Sequence, residues 1–270
     1  MLSQCETSIN HDWGTGSPGA GVPADGFSVR VIADCEQVVS EIETWKKTRI
    51  RFDERFDRAT SKSLGANWLE AEDKYGVEIT LDNSKEYGGR AKFSGKQAIA
   101  GFGMTSMTRE IPGDDFYAME ATLFPDRVAD TEYGLSIYYM KQGDGWFGFH
   151  VGLDTLGKVR FNPGATDTRD MDRRDMLTGG GWQEVRGAAP PDPKEITIRV
   201  TRGEKNRQST FTISYWNEAK REWVVAQKDI SVTFANTRGN WKVGVFCRAK
   251  QGADVSFYVD NIRVYERDRR

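Results

Sequence analysis

The chain has little of what most catalytic and metal-binding proteins rely on. Its 270 residues include two histidines and three cysteines. Cys5, Cys35 and Cys247 are too scattered for a zinc site of recognisable spacing, and their odd number argues against a disulfide framework. Cys5 and Cys35 could still pair in an oxidising medium. No apolar run approaches the roughly 20 residues of a membrane span, so membrane insertion is not expected. Met1-Leu2-Ser3-Gln4-Cys5 has the wording of a lipoprotein box, but no charged or apolar region precedes it and no signal peptide is expected. Charge is plentiful but balanced: 38 Lys and Arg against 40 Asp and Glu leave a net of −2. That balance disfavours long-range attraction to nucleic acid or anionic lipid.

What the chain does have is alternation. In Tyr133 to Phe161, Tyr133, Leu135, Ile137 and Tyr139 recur with the period of a half-buried strand. Phe147, Phe149, Val151 and Leu153 repeat the pattern beyond Gln142-Gly143-Asp144-Gly145, a turn by composition. Both apolar sets are odd-numbered. A hairpin with an odd loop, three or five residues, would put them on one face, with Tyr139 opposite Phe147 and Ile137 opposite Phe149. The other face then carries Ser136, Tyr138, Met140, Trp146 and His150, with Gly134, Gly148 and Gly152 between them.

The rest of the chain divides near Arg51. Residues 1–26 are rich in Gly, Ser, Pro and Asp, with Trp13 as the large anchor, and cannot bury enough apolar area alone to offset their conformational entropy. Phe27 to Val31 reads as a short strand. Asp34 and Gln37 have capping-box spacing, and Val38, Ile42 and Trp45 then share one face of a short helix. Two readings of that helix stand: packing on the chain's own sandwich, or docking another subunit.

From Phe52 onward strands dominate. A polar loop spans 57–67, followed by alternation over Tyr75 to Leu81, a turn at Gly88-Gly89, and strands at Ala91 to Phe93 and around Ala98 to Phe102. Phe116 to Phe124 is another, ended by Pro125. Residues 163–194 look irregular. Later strands centre on Ile198, Ile213, Val225, Val245 and Phe257, with Ser209 to Gln227 as a second hairpin. About a dozen short strands and one early helix point to an all-β protein. The expected fold is an antiparallel sandwich over 51–270 preceded by an N-terminal arm, 1–50.

The sandwich opens with FDRATSKSLGANW, Phe56 to Trp68, and closes with VSFYVDNIRVY, Val255 to Tyr265. With these two stretches it resembles the concanavalin A-like lectin/glucanase domains, and the opening is similar to domains in minor tail proteins of actinobacterial tailed phages. The resemblance covers roughly residues 52–266. It implies a jelly-roll architecture, location in the virion as part of a phage tail, and a role in tail-tip assembly or attachment to a host cell-surface glycan. The implied partners are other tail-tip subunits, a host glycan and further copies of the chain. Asp260 resembles the position where some members of the fold hold a structural calcium, against the alternative that it bonds to backbone at a bulge. No other cofactor is expected.

The glucanase branch of that fold carries two carboxylates in an E-x-D-x-x-E strand motif. Neither Glu120, with Thr122 two places on, nor Glu132, with Gly134, has that spacing. On this ground the chain is not expected to be an enzyme. Binding is the remaining chemistry. Tyr138, Trp146 and His150 are the candidates, either for a sugar's apolar face or for a subunit interface, with packing under another layer as the alternative. Trp13, Val38, Ile42 and Trp45 are the candidate anchors of an attachment arm. Three functional readings stand side by side: a tail-tip subunit that also adheres, a free carbohydrate-binding module, and a glycoside hydrolase.

Overall fold

In a computed structural model of the chain, the described residues are 47–71, 76–84, 88–142, 145–154, 156–167, 183–185, 188–190, 194–205, 208–232 and 239–267. Trp13, Val38, Ile42, Trp45, Cys5 and Cys35, with the expected early helix, lie outside them. Arg49–Arg267 form one compact unit. Its strands are β1 (Thr48–Glu54), β2 (Leu69–Ala71), β3 (Val77–Asp82), β4 (Arg90–Lys96), β5 (Phe102–Pro112), β6 (Phe116–Arg127), β7 (Thr131–Gln142) and β8 (Gly145–Leu153). They continue as β9 (Val159–Asp167), β10 (Gln183–Glu184), β11 (Ile196–Lys205), β12 (Gln208–Asn217), β13 (Glu222–Ser231), β14 (Asn240–Lys250) and β15 (Asp254–Arg267). There is no helix among the described residues.

These strands form two sheets. One runs β13-β12-β11-β6-β15-β4-β3, with β1 also paired to β15; the other runs β10-β9-β8-β7-β14-β5-β2. The pairs with a resolved register are antiparallel, and the fold is a jelly-roll β-sandwich, as its sequence pattern implies. The core between the sheets takes the odd residues of β7, β8 and β14: Leu135, Ile137, Phe149, Val151, Val243 and Val245. Facing them from the other sheet are Met119, Leu123, Ile198, Phe211, Phe257 and Val259. Tyr139, Phe149 and Trp241 all pack on Phe211, with ring centroids 4.9 to 6.4 Å apart.

The stretch FDRATSKSLGANW closes one end of this core. Phe56, Leu64 and Trp68 are buried. Arg58 Nη1 donates to the Leu64 carbonyl at 3.0 Å, and the Trp68 indole N–H donates to Glu54 at 3.3 Å. Its most distinctive residues are therefore structural.

Four expectations change in detail. Ile137 does face Phe149, but Gln142 pairs with Gly145, and no odd loop is used. A bulge between Tyr138 and Met140 inserts the extra residue instead, so Phe147 faces Met140 and stays half-buried outside the core that Tyr133 to Tyr139 and Phe149 to Leu153 enter. The strand expected around Ala98 to Phe102 starts only at Phe102 and runs to Pro112. Pro125 does not end β6: it pairs with Phe257 at a register shift, where a missing N–H is tolerated. The apparently irregular 163–194 contains the end of β9 and the two residues of β10, and Val185 bonds back to Val159 at 3.0 Å.

Candidate functional site

The even-numbered residues of β7, β8 and β14 point away from the core and build one sheet face. Pairing places Ser136 beside His150, and His150 beside Asn162. The next rank holds Gly152, Gly134 and Phe246; the one after joins Glu132 to Arg248. Gly134 and Gly152 lie directly opposite each other, and the Phe246 ring reaches across to Gly152 in the space their missing side chains leave. A Cβ on Gly134 would sit 2.1 Å from the Val151 carbonyl oxygen, so the close approach of the strands requires glycine there.

Tyr138, Trp146 and His150 do come together on this face, but not as exposed rings. They are 0%, 8% and 4% exposed, which agrees with the packed alternative and not with open rings. His150 Nε2 and the Tyr138 hydroxyl share a hydrogen bond of 2.9 Å, and His150 stacks on Phe246 at 4.3 Å. Lys242 lies over both Tyr138 and Trp146, at 5.7 and 5.5 Å. Burial, helped by the nearby Arg248 charge, pushes the His150 imidazole down to about 3, which keeps it neutral at physiological pH. Tyr138, Trp146, His150, Asn162, Lys242 and Phe246 each engage further partners beyond these.

At the other end of the face lies Glu132, weighed above only as a catalytic carboxylate, with two arginines that sequence reasoning missed. Glu132 accepts from Arg160 at 2.9 Å and from Arg248 at 2.7 Å. The Arg248 guanidinium lies 4.1 Å from the ring of Phe102, which is 43% exposed. Two buried polar atoms of this face, Ser136 Oγ and Arg248 Nε, meet no hydrogen-bonding partner. Leaving such atoms unsatisfied costs about 1–3 kcal/mol each unless solvent or a ligand reaches them. Glu132, Arg160 and Arg248 are remote in sequence, and only the β9-β8-β7-β14 order brings them together.

The two glutamates weighed as catalytic candidates are separated by the fold. Glu120 lies on the outer face of the other sheet. There it accepts from Arg199 Nε at 2.8 Å, Arg199 Nη2 at 2.5 Å and the Tyr265 hydroxyl at 2.8 Å. Asp260 sits on β15 at a bulge, beside Asn261 in the left-handed region. Its Oδ1 accepts the Asn261 backbone N–H at 2.7 Å, and its Oδ2 accepts the Asn261 side-chain amide at 3.2 Å. Burial raises its carboxyl to about 6, opposed by Arg90 and Arg55. Asp57 is the other carboxylate near it, and without a third acid among the described residues converging on the two, these residues do not fit a calcium ligand set. Among the described residues no three His, Cys, Asp or Glu side chains converge as a metal site.

No protein-family model matches the chain, and no curated protein does. Solved structures do match. SCLam, a non-specific endo-β-1,3(4)-glucanase from glycoside hydrolase family 16, superposes with a TM-score of 0.51 at 8% identity, over 82% of this chain and 92% of its own. An engineered family 43 glycoside hydrolase with endo-xylanase and exo-arabinofuranosidase activity superposes with a TM-score of 0.50 at 14% identity, over 82% of this chain. The chain spans only 41% of that hydrolase. The mannan-recognising carbohydrate-binding module TmCBM27 matches more loosely, at 0.38 and 12% identity, over 82% of this chain and 98% of its own. What the first two share with this chain is the jelly-roll β-sandwich fold. The two hydrolases overturn the expectation that the chain is not an enzyme. In SCLam the same sandwich is a hydrolase, so one missing strand motif does not exclude turnover.

Proposed function

We propose that this chain is a carbohydrate-binding β-sandwich, and that its saccharide is held at the Glu132 end of the seven-stranded sheet. The observation that carries the reading is Glu132 clamped between Arg160 and Arg248, with the exposed ring of Phe102 stacked on Arg248. Fixed guanidinium and carboxylate groups hydrogen-bond hydroxyls, and an exposed ring takes the apolar face of a pyranose. In the finer form of the proposal the chain is a subunit of a phage tail tip and the saccharide belongs to the host surface. That form rests on the wording of Phe56–Trp68 and Val255–Tyr265, with residues 1–50 as the attachment arm.

The test is a glycan array probed with the intact chain, followed by titration of the best saccharide. Phe102→Ala and Arg248→Ala should each weaken binding at least tenfold, about 1.4 kcal/mol, with the fold retained. Absence of binding across the array, or affinity unchanged in both variants, would remove the proposal. Reducing-end release by the wild type and not by Glu132→Gln would make the same site catalytic.

A further inference from the structure

The outer face of the eight-stranded sheet carries a second arrangement, independent of the one above. Trp216 and Trp223 are cross-strand partners on β12 and β13, with ring centroids 5.5 Å apart and planes at 61°. Both indoles are held. Trp216 Nε1 donates to Glu218 at 2.6 Å, and Trp223 has the Arg199 guanidinium 3.6 Å from its ring. Arg199 is in turn fixed by two hydrogen bonds to buried Glu120.

Beyond the Ile198–Tyr215 pair, Trp216 adjoins Thr197 on this face. Thr197 pairs with Thr122, their hydroxyls 2.9 Å apart, and Thr122 pairs with Asp260. A single rank of side chains thus runs from an indole pair, across two hydroxyls, to a carboxyl. It crosses β12, β11, β6 and β15. At about 4.8 Å per strand the rank is roughly 14 Å long, the span of about three hexose units.

The charges around this rank are paired within the sheet. Glu120 sits between Arg199 and Arg263, Arg263 also meets Asp53, and Glu266 holds Arg49. A strip with an aromatic end, hydroxyls and internally neutralised flanks complements an uncharged polyol. It complements an acidic or basic partner poorly. Half-buried Trp216 and Trp223, with Val225 43% exposed beside them, keep the aromatic end at the surface.

We infer that this rank is a second saccharide-binding site, taking a neutral β-linked gluco-oligosaccharide with one ring on the Trp216/Trp223 platform and its hydroxyls toward Thr197 and Asp260. Pyranoses whose substituents are all equatorial present axial C–H groups on both faces, which is the surface an indole stacks against. The edge-to-face indoles, held by Glu218 and Arg199, and the hydroxyl-bearing side chains give a surface that is rigid before the ligand arrives.

The experiment is titration of the intact chain carrying Arg248→Ala, which disables the first site, with cellopentaose and laminaripentaose. Tryptophan fluorescence and amide chemical shifts are the readouts. One of the two sugars should quench the fluorescence and shift amides of β11, β12 and β15. Adding Trp216→Ala should weaken that response at least tenfold. Thr197→Arg, a change at a half-buried position on the outer face that fills the strip, should do the same, and thermal melts establish that each variant folds. No response to either sugar, or a response unchanged by both Trp216→Ala and Thr197→Arg, overturns the inference. Loss of array binding in Arg248→Ala alone bears on the first site and not on this one.

Discussion

At the residue scale the two faces of β7 carry different chemistry under the same burial. Ile137 is a core residue and Tyr138 its neighbour on the opposite face, yet both are fully buried. Ile137→Asp should prevent folding, because an unpaired charge would enter the sandwich. Tyr138→Ala should also be costly, about 3–5 kcal/mol by analogy with large aromatic truncations, with the His150 bond lost in addition. Thermal melts decide this. A Tyr138→Ala protein as stable as wild type would mean that its face is open. His150 gives a pH prediction with a definite sign. Its folded value, about 3, lies below the ordinary 6.5, so the stability held by the neutral ring is present above 6.5 and is lost as pH falls toward 3. Asp260 acts in the opposite sense: raised from 3.8 to about 6, it favours the folded state below 3.8, and that contribution disappears as pH rises through 6. Urea titrations at pH 7, 5.5 and 4 should show wild type losing more stability on acidification than His150→Phe. Equal losses would mean that the imidazole is not held neutral.

At the element scale, the ion-pair lattice on the eight-stranded sheet ties β6 to β11 and β15 through one buried carboxylate. Arg199→Met removes two of the hydrogen bonds to Glu120 and the cation over Trp223. Breaking a buried pair from one side costs about 3–5 kcal/mol, and here Arg263 and Tyr265 remain to soften it, so a loss of about 2–3 kcal/mol is expected in denaturant melts. A loss below about 0.5 kcal/mol would mean that the network does not join the strands energetically. Elements were legible in the sequence where one face was apolar and the other mixed, as in β7, β8, β14 and β15. The central part of β5 was not legible, because Met104, Thr105, Ser106, Met107 and Thr108 are buried on both faces and show no apolar/polar alternation. The bulge at Tyr138/Met140 was equally hidden, since a shift in one strand has the same parity effect as an odd loop. The aromatic members of the site could be read from alternation. The meeting of Glu132 with Arg160 and Arg248 could not, because it depends on sheet order.

For the whole molecule, β1 begins at Thr48 and pairs with β15, so the sandwich starts earlier than the compositional break near Arg51. Arg49 and Glu266 are joined at 2.6 Å. Removal of residues 1–46 should therefore leave a soluble, cooperatively melting sandwich. A cut after residue 50 deletes much of β1 and the Arg49 contact, and should lower the melting temperature. Equal melting of the two truncations would show that β1 contributes nothing to the sheet. The central claim, that the Glu132 end of the seven-stranded sheet holds a saccharide, is tested most directly by amide chemical-shift mapping. The labelled intact chain would be titrated with the saccharide that binds best on the array. The account predicts that the largest shifts fall on Phe102, Glu132, Gly134, Arg160 and Arg248, and that Arg248→Ala abolishes them. Shifts confined to other strands, or unchanged in Arg248→Ala, would contradict it.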